Sequence, residues 1–191
     1  MTINRRLIGA FVVVGSLALI APQIPASAST VASSKSLEKD LLASSYAKKA
    51  GFPKVAQKPS TTSVTGSETC PHGAEVVFEN GSEKLALVSE VVACFTTKDA
   101  ATLLDSVLAT TSATSARAPK RLGASAIERS LRGTIYAIYW QRGSTVEAVS
   151  YATDVQAKSS STSTTVAAPP ITSAQQRVLS QAALEQDGLL G

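Results

Sequence analysis

Residues 70–108 read CPHGAEVVFENGSEKLALVSEVVACFTTKDAATLLDSVL and decide the fold of this chain. They include both cysteines, the single histidine, His72, and an Asn-Gly pair that begins at Asn80. Asn-Gly favours a hairpin because a type I′ turn needs positive φ at both central residues. The run 85–95 carries apolar residues on both faces, which predicts a central strand covered on both sides. A helix over 83–93 is the competing interpretation.

A helix is predicted directly after this strand. Thr96 and Asp99 match a capping box, in which a hydroxyl and an acidic side chain satisfy the first backbone N–H groups of a helix. The residues that follow have helical apolar spacing: Ala100, Leu103, Leu104, Val107 and Leu108. The apolar side of this helix should pack on the sheet.

Three short runs further along predict an antiparallel meander. They span 126–131, 134–141 and 145–153, and the Arg-Gly pairs at Arg132 and Arg142 separate them. Together with the hairpin they predict an α+β fold, with an antiparallel sheet of about five strands, helices packed on it and one disulfide.

The N-terminus is typical of an exported protein. Two arginines precede an uncharged run over 7–21, and Ala26-Ser27-Ala28 follows two prolines. We therefore expect a signal peptide over 1–28, cleaved after Ala28, and no stable membrane anchor afterwards. An uncleaved anchor is the alternative, although the run is shorter than the ~20 residues that cross a bilayer.

The rest of the chain divides by composition. Residues 29–69 should be a flexible start, a lead-in helix and an extended linker, since 54–69 is rich in Thr, Ser, Pro and Lys without an apolar period. The core domain should span 70–155, and a low-complexity linker should span 156–170. Residues 171–191 predict a short helix, either docked on the domain or free as a tail.

Two cysteines in an exported chain predict a disulfide between Cys70 and Cys94, with free thiols as the alternative. A zinc site would need both cysteines, His72 and a carboxylate, so we expect no metal and no cofactor. A serine or cysteine hydrolase would have only His72 as its base, and no G-x-S-x-G motif is present. A non-catalytic role is therefore favoured, and an enzymatic role is the alternative.

Acidic and aromatic residues supply the other candidates for a site. Six glutamates lie in or beside predicted strands, where solvent-facing charge is the commoner role: Glu75, Glu79, Glu83, Glu90, Glu128 and Glu147. Four aromatic residues on the last two strands predict either core or a ligand-binding groove for a peptide, glycan or lipid: Tyr136, Tyr139, Trp140 and Tyr151. No Lys/Arg block is interleaved with aromatics, so nucleic-acid binding is not expected.

The order of elements resembles that of the extracytoplasmic sensor-like domains and small secreted or lipid-anchored proteins of actinobacteria. The resemblance covers 37–154 and depends on LEKDLLASSYAKKAGFPKV, Cys70, KDAATLLDSVL and IYAIYWQRGSTVEAVSYATD. It implies a compact α+β domain that binds something at the cell surface, and it transfers no catalytic residue. We therefore expect a secreted, non-catalytic binding protein of the cell envelope, whose partner is an unknown extracellular ligand or protein. A secreted hydrolase with dispersed acidic residues and a secreted toxin or inhibitor are the alternatives.

Overall fold

The structure is a computed structural model that describes residues 34–63, 67–80, 85–109, 118–131, 135–153 and 172–189. The expected signal peptide, its cleavage after Ala28 and the expected linker 156–170 lie outside these residues. Within the described part of the chain, no helix has the length and apolar character that crossing a membrane requires.

An antiparallel sheet of six strands forms the centre of the fold, in the order β1-β2-β3-β6-β5-β4. Two three-stranded meanders meet where β3 pairs with β6. The predicted α+β class with an antiparallel sheet is confirmed, with six strands rather than about five. The strands are β1 (Lys54–Ser63), β2 (His72–Asn80), β3 (Leu85–Ala93), β4 (Ile127–Leu131), β5 (Ile135–Arg142) and β6 (Thr145–Thr153).

The additional strand is β1, in the stretch that the sequence predicts to be a linker. Residues 54–63 pair with β2 along its outer edge, so this part of the linker prediction is wrong. The pairing is irregular, with register shifts between Val55 and Gln57 and between Gln57 and Ser60. An edge strand with bulges, a proline and exposed lysines needs no apolar alternation, which explains why its pattern was not visible.

The predicted hairpin is present as β2 and β3. Asn80 pairs with Leu85, and the rest of the predicted Asn-Gly turn, residues 81–84, lies outside the described residues. Cys70 lies just before β2 and Cys94 just after β3, and a disulfide joins them, as predicted. It closes the open end of the hairpin.

Helix α3 (Thr97–Ala109) follows the hairpin as predicted. The Thr96 hydroxyl accepts a hydrogen bond from the backbone N–H of Asp99 at 3.1 Å and donates one to its carboxylate at 2.7 Å. Ala100 and Leu104 are buried in a cluster with one side of the sheet. We call this side the α3 face; it carries Val92, Ala137, Tyr139, Val146 and Ala148.

The predicted lead-in helix is broken into three short pieces: α1 (Ser34–Leu37), a 3-10 turn (Glu38–Asp40) and α2 (Ser44–Lys49). Leu41 is in an extended conformation between them. The break lets Leu37, Leu41 and Leu42 all be buried against the other side of the sheet, which one straight helix would not allow. We call this side the α4 face, after the C-terminal helix α4 (Ser173–Gln186) that packs on it. It carries Phe78, Leu87, Ile138, Trp140, Val149 and Tyr151.

The C-terminal helix α4 (Ser173–Gln186) is docked on β5 and β6, so the free-tail alternative is wrong. Leu179, Ala182 and Ala183 are buried in the core of the α4 face. The helix begins with a capping box formed by Thr172 and Gln175. A short 3-10 helix (Lys120–Leu122) precedes β4.

Candidate functional site

Four glutamates that the sequence predicts to face solvent are buried. Their side chains lie on strands of a sheet that is covered on both faces, and a carboxyl group inside an otherwise apolar run is the sequence signal that could have indicated this. Glu79 is different, because it pairs with Lys54 at 3.0 Å near the exposed edge, while Glu83 lies outside the described residues. The exposed fractions of the buried four are 8% for Glu75, 4% for Glu90, 2% for Glu128 and 1% for Glu147.

Glu75 and Glu90 form a pair on the α3 face. They lie opposite each other across β2 and β3, and a side-chain hydrogen bond links them. Two ionised carboxylates repel each other and only accept hydrogen bonds, so this bond requires a proton on one of the two groups.

The strand register extends this pair into a row across the sheet. Ser60 lies opposite Glu75 on β1, Ala148 lies opposite Glu90 on β6, and Tyr139 lies opposite Ala148 on β5. The small side chain of Ala148 leaves the Tyr139 ring close enough for the Glu90 charge to influence its hydroxyl. The row therefore places two carboxyl groups and a phenol along one line of the α3 face.

Burial sets the protonation of this row. It raises the pKa of Glu75, and the hydrogen bonds from Glu90 and Gln57 oppose that rise. Burial also raises the pKa of Tyr139, and the nearby negative charge of Glu90 raises it further. Tyr139 is therefore a neutral phenol at physiological pH, and Glu75 keeps its proton to a higher pH than an exposed glutamate does.

The row reaches solvent at the β1 edge. The Gln57 amide donates to Glu75 Oε1 at 2.9 Å and to Ser60 Oγ at 2.8 Å. Gln57 and Ser60 are both partly exposed, and the backbone between them is bulged. Bulges of this kind re-aim side chains and are frequent beside binding sites. A ligand approaching this edge would meet Gln57 and Ser60 first and the carboxyl pair behind them.

A second set of buried carboxyls lies on the α4 face. Burial raises the pKa of Glu147 to about 7; Arg142 and the Gln186 amide oppose the rise, while Asp187 and Asp40 add to it. Burial also raises the pKa of Glu128, which accepts a hydrogen bond from Gln176 at 3.3 Å. Both groups therefore meet side chains of α4.

The four aromatic candidates do not line one groove. Tyr139 is on the α3 face, whereas Tyr136, Trp140 and Tyr151 point to the α4 face. Tyr139, Trp140 and Tyr151 are buried, and Tyr136 is half-buried. Their burial matches the core interpretation, and ligand binding by these residues stays a prediction. The sequence did not indicate that Glu75 and Glu90 form a pair.

His72 lies apart from the acidic row. It is half-buried at the start of β2, opposite Ala93, on the α4 side of the sheet, while Glu75 is on the α3 side. Among the described residues, no group of three or more His, Cys, Asp and Glu side chains is arranged to hold a metal ion.

Comparison of the chain with known protein families matched none of them, and comparison with curated proteins found no similar one.

Proposed function

We propose that this chain is a secreted, non-catalytic binding protein of the cell envelope, and that its site is the acidic row on the α3 face. The observation that carries the proposal is the buried, hydrogen-bonded pair of Glu75 and Glu90 beside the β1 bulge. Its ligand would be rich in hydroxyl or amino groups, as envelope glycans are.

The energetic argument concerns the cost of the pair. Two carboxyl groups removed from water cost stability, and apolar residues of similar size at such positions are often neutral or stabilising. Perturbed, paired carboxyls are concentrated at functional sites. Ligand hydroxyl or ammonium groups would add donors to Glu75, which accepts from a Gln57 amide that also donates to Ser60.

The spacing of the pair favours binding over the hydrolase alternative. Retaining glycosidases hold their two carboxyls ~5–5.5 Å apart and inverting ones ~6.5–9.5 Å apart, to leave room for the sugar or for water. Carboxyls in direct hydrogen-bond contact leave no such room. His72, the only base available to a serine or cysteine hydrolase, is on the opposite face.

The disulfide and the N-terminal sequence support the location. Disulfides persist in oxidising compartments, and Cys70–Cys94 closes the central hairpin. The apolar run after Arg5 and Arg6 is typical of a signal peptide. The resemblance to extracytoplasmic actinobacterial domains agrees with an envelope role.

A sedimentation assay tests the proposal. The purified chain from residue 29 would be mixed with insoluble cell-wall glycan from an actinobacterium, and the pelleted fraction measured. We expect the wild-type chain to pellet and the double variant Glu75→Gln, Glu90→Gln to stay in the supernatant. Glu79→Gln is the matched control, because it removes a partly buried acid of the same strand that pairs with Lys54 and lies outside the Glu75–Glu90 pair. Wild-type protein that stays in the supernatant would contradict the function, and equal pelleting of the double variant would contradict the site.

A further inference from the structure

Helix α4 makes polar contacts with the sheet at both of its ends. Near its start, Gln176 donates to the buried Glu128 carboxylate. At its end, Gln186 accepts from the Ser89 hydroxyl at 2.7 Å and donates to the Glu90 carbonyl and to Glu147 Oε2, at 3.2 and 3.4 Å. Just beyond the helix, Asp187 accepts from the indole N–H of Trp140 at 3.0 Å.

Apolar packing also holds α4. The fully buried apolar side chains of the helix are Leu179, Ala182 and Ala183, and the partly buried Val178 and Leu184 pack against the same core. A fully buried leucine contributes about 1.5–3 kcal/mol, and an alanine contributes less. The polar contacts at the end of the helix add to this packing, and they are the part of the attachment that can respond to pH.

Those contacts meet at a group of charges with an excess of acid. Glu147 is buried under Gln186, and the charged groups that face it come from three parts of the chain: Arg142 on β5, Asp187 after α4 and Asp40 in the 3-10 turn. The Arg142 guanidinium is 3.9 Å from Glu147, and its side chain is half exposed. If Glu147 is ionised, its buried charge faces those of Asp187 and Asp40, and both aspartates belong to segments packed on the sheet.

We propose that α4 is a pH-dependent latch: ionisation of Glu147 loosens the end of the helix and opens the α4 face around Trp140. With Glu147 protonated, the carboxyl is neutral, and Gln186 and Asp187 stay in place. With Glu147 ionised, repulsion from Asp187 and Asp40 acts at the two segments that cover this part of the sheet. Opening would expose Trp140, one of the aromatic residues that the sequence marks as a ligand-binding candidate.

Hydrogen exchange of the chain from residue 29, followed by mass spectrometry between pH 5.5 and 8, tests this latch. The rates are first corrected for intrinsic exchange. We then expect the protection of the C-terminal turns of α4 to fall about tenfold or more over this range, because the protonation of Glu147 is linked to the docking of the helix. Peptides from β3 and β6 should keep their protection. The emission of Trp140, the only tryptophan, should shift to longer wavelength over the same range.

Three variants separate the latch from general destabilisation. Glu147→Gln should keep the low-pH protection of α4 at every pH, and Glu79→Gln should behave like the wild type. Ser89→Ala removes another anchor of Gln186 and should lower the protection by a similar factor at every pH. The latch is refuted if α4 protection does not change with pH, if it falls in parallel with that of β3 and β6, or if Glu147→Gln keeps the full pH response. The wild-type series alone can refute the latch, even if a variant does not fold.

Discussion

Glu75 and Glu90 face each other across the two central strands of the hairpin, and their carboxyl groups are joined by a hydrogen bond in the interior of the sheet. One proton must be held between them. The protonation of this pair therefore links stability to pH, and the same pair supplies the acceptor groups of the proposed site.

Replacing one carboxyl of the pair by an amide should stabilise the protein at alkaline pH. In Glu75→Gln the new N–H group can donate to Glu90 permanently, and the new carbonyl can still accept from Gln57. We expect the free energy of unfolding to rise by about 1 kcal/mol at pH 8 and to change little at pH 4.5. Urea unfolding at the two pH values measures this, with Glu79→Gln as a control on the same strand outside the pair. A larger loss of stability at pH 8 than at pH 4.5 would contradict the shared proton.

The protein should be more stable at pH 5 than at pH 8. The folded-state pKa of Glu147 is about 7, above its ordinary value of 4.5, so the folded chain binds more protons than the unfolded chain between these values. Its stabilising contribution is complete below about 4.5 and is lost as the pH rises through 7. A shift of this size corresponds to about 3 kcal/mol. Burial also raises the pKa of Glu75 and Glu128, so they act in the same direction.

Urea unfolding of Glu147→Gln and of the wild type measures how much of this pH dependence of stability comes from Glu147. The difference in unfolding free energy between pH 5 and pH 8 should shrink in the variant. A wild-type protein that gains stability on going from pH 5 to pH 8 would contradict the assignment of buried, protonated glutamates.

Helix α3 should be essential to the core. Leu104 is 2% exposed and packs against the α3 face, so Leu104→Asp would place an unpaired charge there. We expect a loss of about 3 kcal/mol or more of unfolding free energy, measured by thermal or urea unfolding. Thr102→Asp is the control, because Thr102 is exposed on the same helix and the substitution should cost much less. A normally melting Leu104→Asp protein would show that α3 is not part of the core.

The disulfide should account for a large share of the stability. Cys70 and Cys94 are separated by 24 positions. A closed loop of this size is worth about 3–4 kcal/mol through its restriction of the unfolded chain. The double variant Cys70→Ser, Cys94→Ser should lose about that much in urea unfolding under non-reducing conditions. A loss below about 1 kcal/mol would indicate that the hairpin is held by its strand pairing alone.

Much of the sheet was predictable because its strands are short apolar runs separated by turn residues. The opposite orientations of Tyr139 and Trp140, and of Ala148 and Val149, follow directly from the two-residue period of a strand. The strand β1 was not predictable in this way, because its residues are mostly polar and its position at the sheet edge does not require an apolar face.

The candidate site was harder to predict than the fold. The sequence places Glu75 and Glu90 in strands, but it does not show the register that sets them opposite each other, nor the layers that bury them. A one-residue change in register would have put the two carboxyls on different faces. The aromatic residues attracted attention instead, because large side chains mark both cores and binding grooves.

The most direct test of the central claim locates the bound ligand on the protein. Hydrogen exchange of the chain from residue 29 would be compared with and without soluble oligosaccharides released from actinobacterial cell wall. We predict added protection in peptides covering Gln57, Glu75 and Glu90, together with binding at least ~10-fold weaker in the double variant Glu75→Gln, Glu90→Gln, because charge-assisted hydrogen bonds are lost. Protection confined to the α4 face, or equal binding by the double variant, would contradict the proposal that the acidic row is the binding site.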